Sequence, residues 1–228
     1  MRILNVEKRK KSLVAVTLDA DGMQPSDLAQ ELPGGRFDAA GALLLDRETA
    51  AERGLKPGLD LPLSALAELV ETGNLARAKN KALYLLSLRD YAKRELESRL
   101  RADFGEDAAR QTVDRFAELG LLDDERFAAR YAEQLLSVKR VSARQAVYLL
   151  RQKGVSPEIA EAAVQELSPD PQQQIAELIA RKYAAALARG EERDRRRVCD
   201  ALARKGFSYG DIQTALRAYG AQQDEFLD

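Results

Sequence analysis

The spacing of hydrophobic positions changes near residue 63. Before that point, Val14, Val16 and Leu18 alternate with polar or small residues, which is the period of a half-buried strand. Further strands are expected at 3–6, 43–45 and 59–63, with a turn at 8–11 and glycines between the later segments. The pattern predicts a small β-rich or α+β cap over residues 1–75.

From about Leu63 onward, the apolar positions follow a helical period almost without a break, and the pattern repeats. Glycines stand at 105, 154 and 206, at intervals of 49 and 52 residues. Leu150 and Leu202 precede the last two glycines at the same offset, whereas Leu100 is one residue out of step. A period near 50 residues indicates tandem supersecondary units that stack to bury a core. The alternative is a single irregular helical domain.

Helix start and stop signals favour three helices in each unit. Ser142 and Ser208 begin segments with capping-box spacing, and Ser156 precedes a proline suited to a first helical turn. The three glycines fit the residue after a helix C-terminus. The sequence therefore predicts a mainly α chain of tandem three-helix repeats in an elongated arc. The expected division is 1–75 for the N-terminal cap, then 76–122, 123–168 and 169–228 for the repeats.

Composition argues against catalysis. The chain has no histidine, so the usual general base and the commonest metal ligand are missing. Cys199 is the single cysteine, which rules out a Cys-based zinc site and is expected to be a packing residue in a reducing compartment. The acids at 123–125 are suited to holding Mg²⁺ or to capping a helix, and capping is favoured because consecutive helical residues do not face one another. We expect no catalytic residue, metal or cofactor.

No apolar run is long enough for a signal peptide or a membrane span. We therefore expect a cytoplasmic protein that does not contact a membrane. We also expect a monomer.

Positive charge recurs on the second helix of each predicted repeat. The chain has 36 basic and 37 acidic residues, so any nucleic-acid contact must come from a local patch. The candidates are Lys93, Arg94 and Arg101, then Lys139, Arg140, Arg144, Arg151 and Lys153, then Arg193, Arg195, Arg196, Arg197, Arg204 and Lys205. A predicted N-terminal turn adds Lys8, Arg9, Lys10 and Lys11.

Two interpretations of this charge remain open: one basic stripe that contacts phosphates or an acidic protein groove, or ordinary solvated helix faces. Three aromatic residues nearby are candidates for base stacking, although each also suits a core: Tyr148, Phe207 and Tyr209.

Four segments of the chain resemble the RecX family. They are ALYLLSLRDYAKRELESRL at 82–100, AELGLLDDERFAARYAEQLL at 117–136, AVYLLRQKGVSPEIAEAAV at 146–164 and VCDALARKGF at 198–207. Ala92 departs from the family pattern, which usually has serine there, and this weakens the capping box at the start of that helix. The resemblance covers about two thirds of the chain.

The resemblance implies a modulator of homologous recombination in DNA repair and the SOS response. Its expected partners are the RecA filament and single-stranded DNA, with double-stranded DNA as a further candidate. RecX-like proteins lie along the filament groove, limit filament growth and suppress ATP hydrolysis and strand exchange. Two alternatives are a helix-turn-helix-like protein that binds duplex DNA by itself and an α-solenoid scaffold that binds an unrelated peptide.

Overall fold

The computed structural model describes residues 1–9, 12–19, 22, 25–167 and 169–225. The N-terminal region contains a four-stranded antiparallel sheet with the strand order β1-β2-β4-β3. Its elements are β1 (Arg2–Lys8), β2 (Leu13–Asp19), α1 (Pro25–Glu31), β3 (Arg36–Phe37), β4 (Leu43–Asp46) and α2 (Arg47–Glu52).

The predicted alternation in β2 is confirmed in part. Val14 and Val16 are buried, whereas Thr17 and Asp19 are exposed. Ala15, on the face expected to be exposed, is buried as well. In β1, Ile3 pairs with Leu18 and is fully buried. The apolar face of the sheet packs against the first half of a long helix, α3 (Leu63–Leu88), which covers that face.

The prediction of a strand at 59–63 is wrong. Only Asp60 forms a bridge, with Arg2, and Pro62 then takes the N-cap position of α3. Proline has no backbone N–H for a strand ladder, and its φ of −67° suits a helix start. The pattern also missed β3, α1 and α2, which are all short; α2 begins where the Asp46 carboxylate accepts the Thr49 N–H at 3.1 Å.

The rest of the described chain is helical. The first repeat comprises α3, α4 (Lys93–Phe104) and α5 (Glu106–Glu118). The second comprises α6 (Asp124–Glu133), a π-helical turn at Gln134–Val138, α7 (Ala143–Gln152) and α8 (Pro157–Glu166). The third comprises α9 (Pro171–Leu178), a π-helical turn at Ile179–Tyr183, α10 (Ala184–Leu187), α11 (Glu192–Arg204) and α12 (Tyr209–Glu225).

A fully buried leucine occupies the same place in all three second helices. Leu100, Leu150 and Leu202 each have no exposed surface and belong to three separate hydrophobic clusters. Leu100 is out of step because α4 runs one residue further before its glycine, ending at the buried Phe104. The repeats are therefore equivalent in structure as well as in sequence spacing.

The boundary expected between residues 75 and 76 lies inside α3, so the cap and the first repeat share one continuous helix and no linker separates them. Leu66 and Leu69 of this helix pack in the sheet cluster, whereas Ala78 and Ala82 pack in the first repeat. By contacts, the chain forms two compact units: Met1–Tyr91 with Glu95–Leu122, and Ala92–Arg94 with Asp123–Asp228. Among the described residues, no helix is long and apolar enough to cross a membrane.

Candidate binding surface

Within the second unit, the end of each later second helix lies against the start of the preceding one. Gly154, which follows α7, has a φ of +87°, and a Cβ on it would lie 2.5 Å from the Arg94 Cβ. Gly206, which follows α11, has a φ of +88°, and a Cβ there would lie 2.6 Å from both the Gln145 Cβ and the Ser142 Oγ. Glycine is required at both places by conformation and by space.

A backbone hydrogen bond strengthens the second of these joints. The Ser142 N–H donates to the Lys205 carbonyl at 2.9 Å, and the Ser142 Oγ accepts the Gln145 N–H as the predicted N-cap. The basic residues at the end of α11 are thereby brought beside those at the start of α7. The sequence predicted that these glycines follow helix C-termini, but it did not show that they pack against the second helix of the preceding repeat.

The acidic pair at the start of α6 caps two helices. The Asp123 carboxylate accepts the Arg126 N–H at 3.0 Å, and this bond holds the pKa of Asp123 below its ordinary value. The Asp124 carboxylate accepts the Lys93 N–H at 2.9 Å, at the first turn of α4. Ala92 has no side-chain acceptor for the first turn of α4, and Asp124 of the second repeat provides one for the Lys93 N–H. The capping interpretation of the acids is confirmed.

One exposed arginine recurs in every repeat. Arg94, Arg144 and Arg196 each lie six residues before the buried leucine of their second helix, and all three side chains are exposed. Exposed arginines without ion pairs are available for phosphates or carboxylates of a partner. Among the described residues, the predicted arginines without an ion pair are Arg94, Arg144, Arg151, Arg193, Arg195 and Arg204.

Other predicted binding residues make internal contacts. Arg140 lies 3.3 Å from Glu177, and the Lys205 Nζ donates to the Lys139 carbonyl at 2.5 Å. Burial, together with the positive charges of Lys182 and Arg140, lowers the pKa of Lys205. These contacts connect the second and third repeats, so Arg140 and Lys205 have a structural role whatever else they bind.

Further members of the predicted set are paired with acids or stacked on a ring. Arg101 lies 2.9 Å from Glu97, and Arg196 lies 3.7 Å from Glu192. Lys139 lies over the Tyr131 ring, 5.4 Å from its centroid. Lys93 and Lys153 are both partly buried, at the first residue of α4 and at the C-cap of α7.

The arginine run at the start of α11 surrounds a buried carboxylate. Asp194 is buried and accepts a hydrogen bond from the Arg189 Nε at 2.7 Å, while Arg197 lies 3.5 Å away. The bond from Arg189 and the nearby positive charges lower the pKa of Asp194. Part of this charge run therefore stabilises the third repeat. Burial raises the pKa of the neighbouring Cys199 thiol, which disfavours a nucleophilic thiolate.

The N-terminal basic turn is only partly described. Lys8 is an exposed residue at the end of β1, and Arg9 lies 2.8 Å from Glu7 and 3.2 Å from Asp38. The other two predicted residues, Lys10 and Lys11, lie outside the described residues.

The exposed face of α7 forms one wall of a groove. Its volume is about 560 Å³, and it is lined by Arg144, Gln145, Val147, Tyr148, Arg151 and, from α8, Glu161. Tyr148 is 55% exposed, and its hydroxyl accepts a hydrogen bond from the Gln152 Nε2 at 2.8 Å. Of the other stacking candidates, Phe207 is buried in the core and Tyr209 is exposed.

Comparison with known proteins gives a consistent assignment. Three family models match: the first three-helix domain of RecX at residues 78–116, the second at 123–164 and the third at 170–216. The RecX regulatory protein of Streptomyces coelicolor is 35% identical over 145 residues, covering 62% of this chain and 76% of the relative. That of Amycolatopsis mediterranei is 30% identical over 162 residues, covering 68% and 93%.

Two solved structures are similar in fold. A crystal structure of a RecX regulatory protein has a TM-score of 0.56 at 18% identity and covers 95% of this chain and 98% of its own. The crystal structure of RecX from Lactobacillus salivarius has a TM-score of 0.53 at 25% identity and covers 64% and 96%. The first of these likenesses extends over the N-terminal region as well as the repeats.

Proposed function

Since the chain belongs to the RecX family of regulatory proteins, we propose that it is a non-enzymatic regulator of homologous recombination. It binds RecA filaments on DNA and restrains filament extension, ATP hydrolysis and strand exchange. Because such filaments form on chromosomal DNA, the proposal places the protein in the cytoplasm, where it acts as a monomer.

The recurrent arginine of the second helices carries this proposal. Arg94, Arg144 and Arg196 occupy equivalent exposed positions, and the first two have no ion pair among the described residues. Each repeat can thus offer one similar contact to a partner. Several weak, equivalent contacts suit a polymer whose subunits also repeat. Once one repeat has bound a filament subunit, the next repeat is held near the next subunit at a high effective concentration, so the contacts strengthen one another.

The overall charge argues against a protein that relies on duplex DNA alone. Basic and acidic residues nearly cancel, so long-range attraction to a phosphate backbone is weak. A regulator that binds an assembled filament does not need strong long-range attraction to bare DNA.

The experiment is a titration of RecA ATP hydrolysis on single-stranded DNA with this protein, at well below one copy per recombinase subunit. The proposal predicts strong inhibition at that ratio, because one bound molecule affects many filament subunits. A protein that only competes for bare DNA must cover the strand and therefore needs an amount comparable to the recombinase.

Absence of inhibition even near equimolar protein would contradict the proposal. Binding to a fluorescent duplex without recombinase, measured over a range of salt concentrations, separates the helix-turn-helix alternative. That alternative requires tight binding with a steep loss of affinity as salt rises.

A further inference from the structure

The second repeat differs from the other two in the middle of its second helix. Tyr148 lies two residues before the buried Leu150, and the equivalent residues are Ser98 in the first repeat and Asp200 in the third. Serine offers no ring to a base, and aspartate repels a phosphate. Among the described second helices, only α7 therefore combines an exposed aromatic ring with arginines on both sides.

The three side chains lie on one face of α7. Arg144, Tyr148 and Arg151 are separated by four and three residues, which places them in line along a helix. At the usual helical rise, the two arginines are about 10 Å apart along the axis, with the tyrosine between them. The hydrogen bond from Gln152 to the phenol oxygen restrains the ring, so less conformational freedom is lost when a ligand stacks on it.

The opposite side of the groove carries a different charge. Glu161 of α8 is exposed and, like Arg144 and Arg151, has no ion pair among the described residues. A phosphate is attracted to the α7 side and repelled from the α8 side. A carboxylate can accept a hydrogen bond from the N–H groups on the edge of a base. The groove volume of about 560 Å³ lies within the range of small-molecule sites.

We propose that this groove binds one nucleotide of single-stranded DNA. The base stacks on Tyr148 with its edge toward Glu161, and the flanking phosphates contact Arg144 and Arg151. In a duplex the faces of the bases are covered by their neighbours, so this contact selects single strands. An acidic peptide fits less well, because its carboxylates offer neither a flat ring to the exposed Tyr148 nor an N–H donor to Glu161. The inference rests on the DNA part of the proposed function and assigns it to one repeat.

The test uses the full chain without recombinase and measures fluorescence anisotropy with two labelled strands of equal length. One strand carries bases, and the other consists of abasic sites with the same number of phosphates. The wild type is expected to bind the strand with bases about fivefold or more tightly, because one stacked base contributes that much. Tyr148→Ala should bind the two strands equally, whereas Tyr148→Phe, which keeps the ring, should retain the preference.

A charge variant separates stacking from phosphate contact. Arg151→Glu should weaken binding of both strands by a similar factor. It should also reduce the slope of log affinity against log salt concentration by about one, the change expected when one phosphate contact is lost. All the substituted side chains are exposed, so thermal melting of the variants should match the wild type.

Three outcomes would overturn the inference. They are no binding of either strand by the wild type, equal binding of both strands by the wild type, and a base preference that survives Tyr148→Ala. If that variant keeps its base preference but inhibits RecA ATP hydrolysis less, the groove contacts protein instead, and the proposed function stands. If the base preference is lost while the wild type does not inhibit RecA, the groove binds DNA and the proposed function fails.

Discussion

The Asp124 carboxylate accepts a hydrogen bond from the Lys93 backbone N–H at 2.9 Å, although the two residues are 31 positions apart. The first turn of a helix leaves N–H groups without intrahelical acceptors, and a side chain from another repeat serves one of them here. The acidic pair Asp123 and Asp124 thereby contributes to the joining of consecutive repeats.

Replacing this acceptor should destabilise the second unit. We expect Asp124→Ala to lower the free energy of unfolding by about 1 kcal/mol, the usual effect of losing a capping side chain. Urea denaturation followed by circular dichroism measures it. Glu125→Ala is the matched control, since this exposed neighbour accepts no comparable bond and its loss should change stability by under about 0.5 kcal/mol. Equal effects of the two substitutions would refute the capping role.

The glycine joints give a second prediction. In Gly206→Ala the added Cβ would approach Gln145 and Ser142 to 2.6 Å, in addition to the strain of a φ of +88°. Gly190→Ala is the control, because Gly190 also follows a helix with a positive φ, of +71°, but nothing lies within 4 Å of the added atom. The control should lose about 1 kcal/mol from conformation alone, and Gly206→Ala clearly more, measured by urea denaturation. Equal losses would mean that the close packing at Gly206 contributes nothing.

The buried leucine of the second repeat gives a third prediction. Leu150 has no exposed surface, and truncation to alanine leaves a cavity in the cluster formed by α6, α7 and α8. We expect Leu150→Ala to cost about 3 kcal/mol in the free energy of unfolding. Leu149→Ala, at a partly exposed neighbour, should cost distinctly less. A loss below about 1 kcal/mol at Leu150 would contradict its place in the core.

The buried carboxylate of the third repeat predicts a dependence on pH. Hydrogen bonding to Arg189 lowers the pKa of Asp194 from its ordinary value of 3.8. This group therefore contributes stability above that pH, and the contribution is lost as the pH falls through 3.8 toward the folded-state value. Asp194→Asn should be less stable than the wild type at neutral pH, and the difference should shrink on acidification. A difference in thermal midpoint that does not change with pH would contradict the charge-based role.

The helical period of the sequence was sufficient to predict the three repeats and their caps. Burial of Leu150 and the caps at Ser142 and Ser156 follow local patterns that one helix reveals by itself. The strand expected at 59–63 failed because apolar residues before a helix and in a short strand look alike when only five residues are considered.

The candidate binding surface was less predictable. The sequence counted positive charges on the second helices, but partners distant in sequence decide which of them are available. Arg140 meets Glu177 and Lys205 meets the Lys139 carbonyl only after the repeats stack. Arg94 and Arg144 have no such partner among the described residues, and composition alone contains no sign of this difference.

The most direct test of the account compares two triple variants in the RecA ATP hydrolysis assay. Arg94→Glu, Arg144→Glu and Arg196→Glu together reverse the recurrent exposed arginines of the second helices. Arg110→Glu, Arg115→Glu and Arg217→Glu make the same change of charge at exposed positions on α5 and α12. We predict that the first variant needs about tenfold more protein for half inhibition, a loss of about 1.4 kcal/mol in binding, while the second inhibits like the wild type. Equal inhibition by the two variants would contradict the central claim.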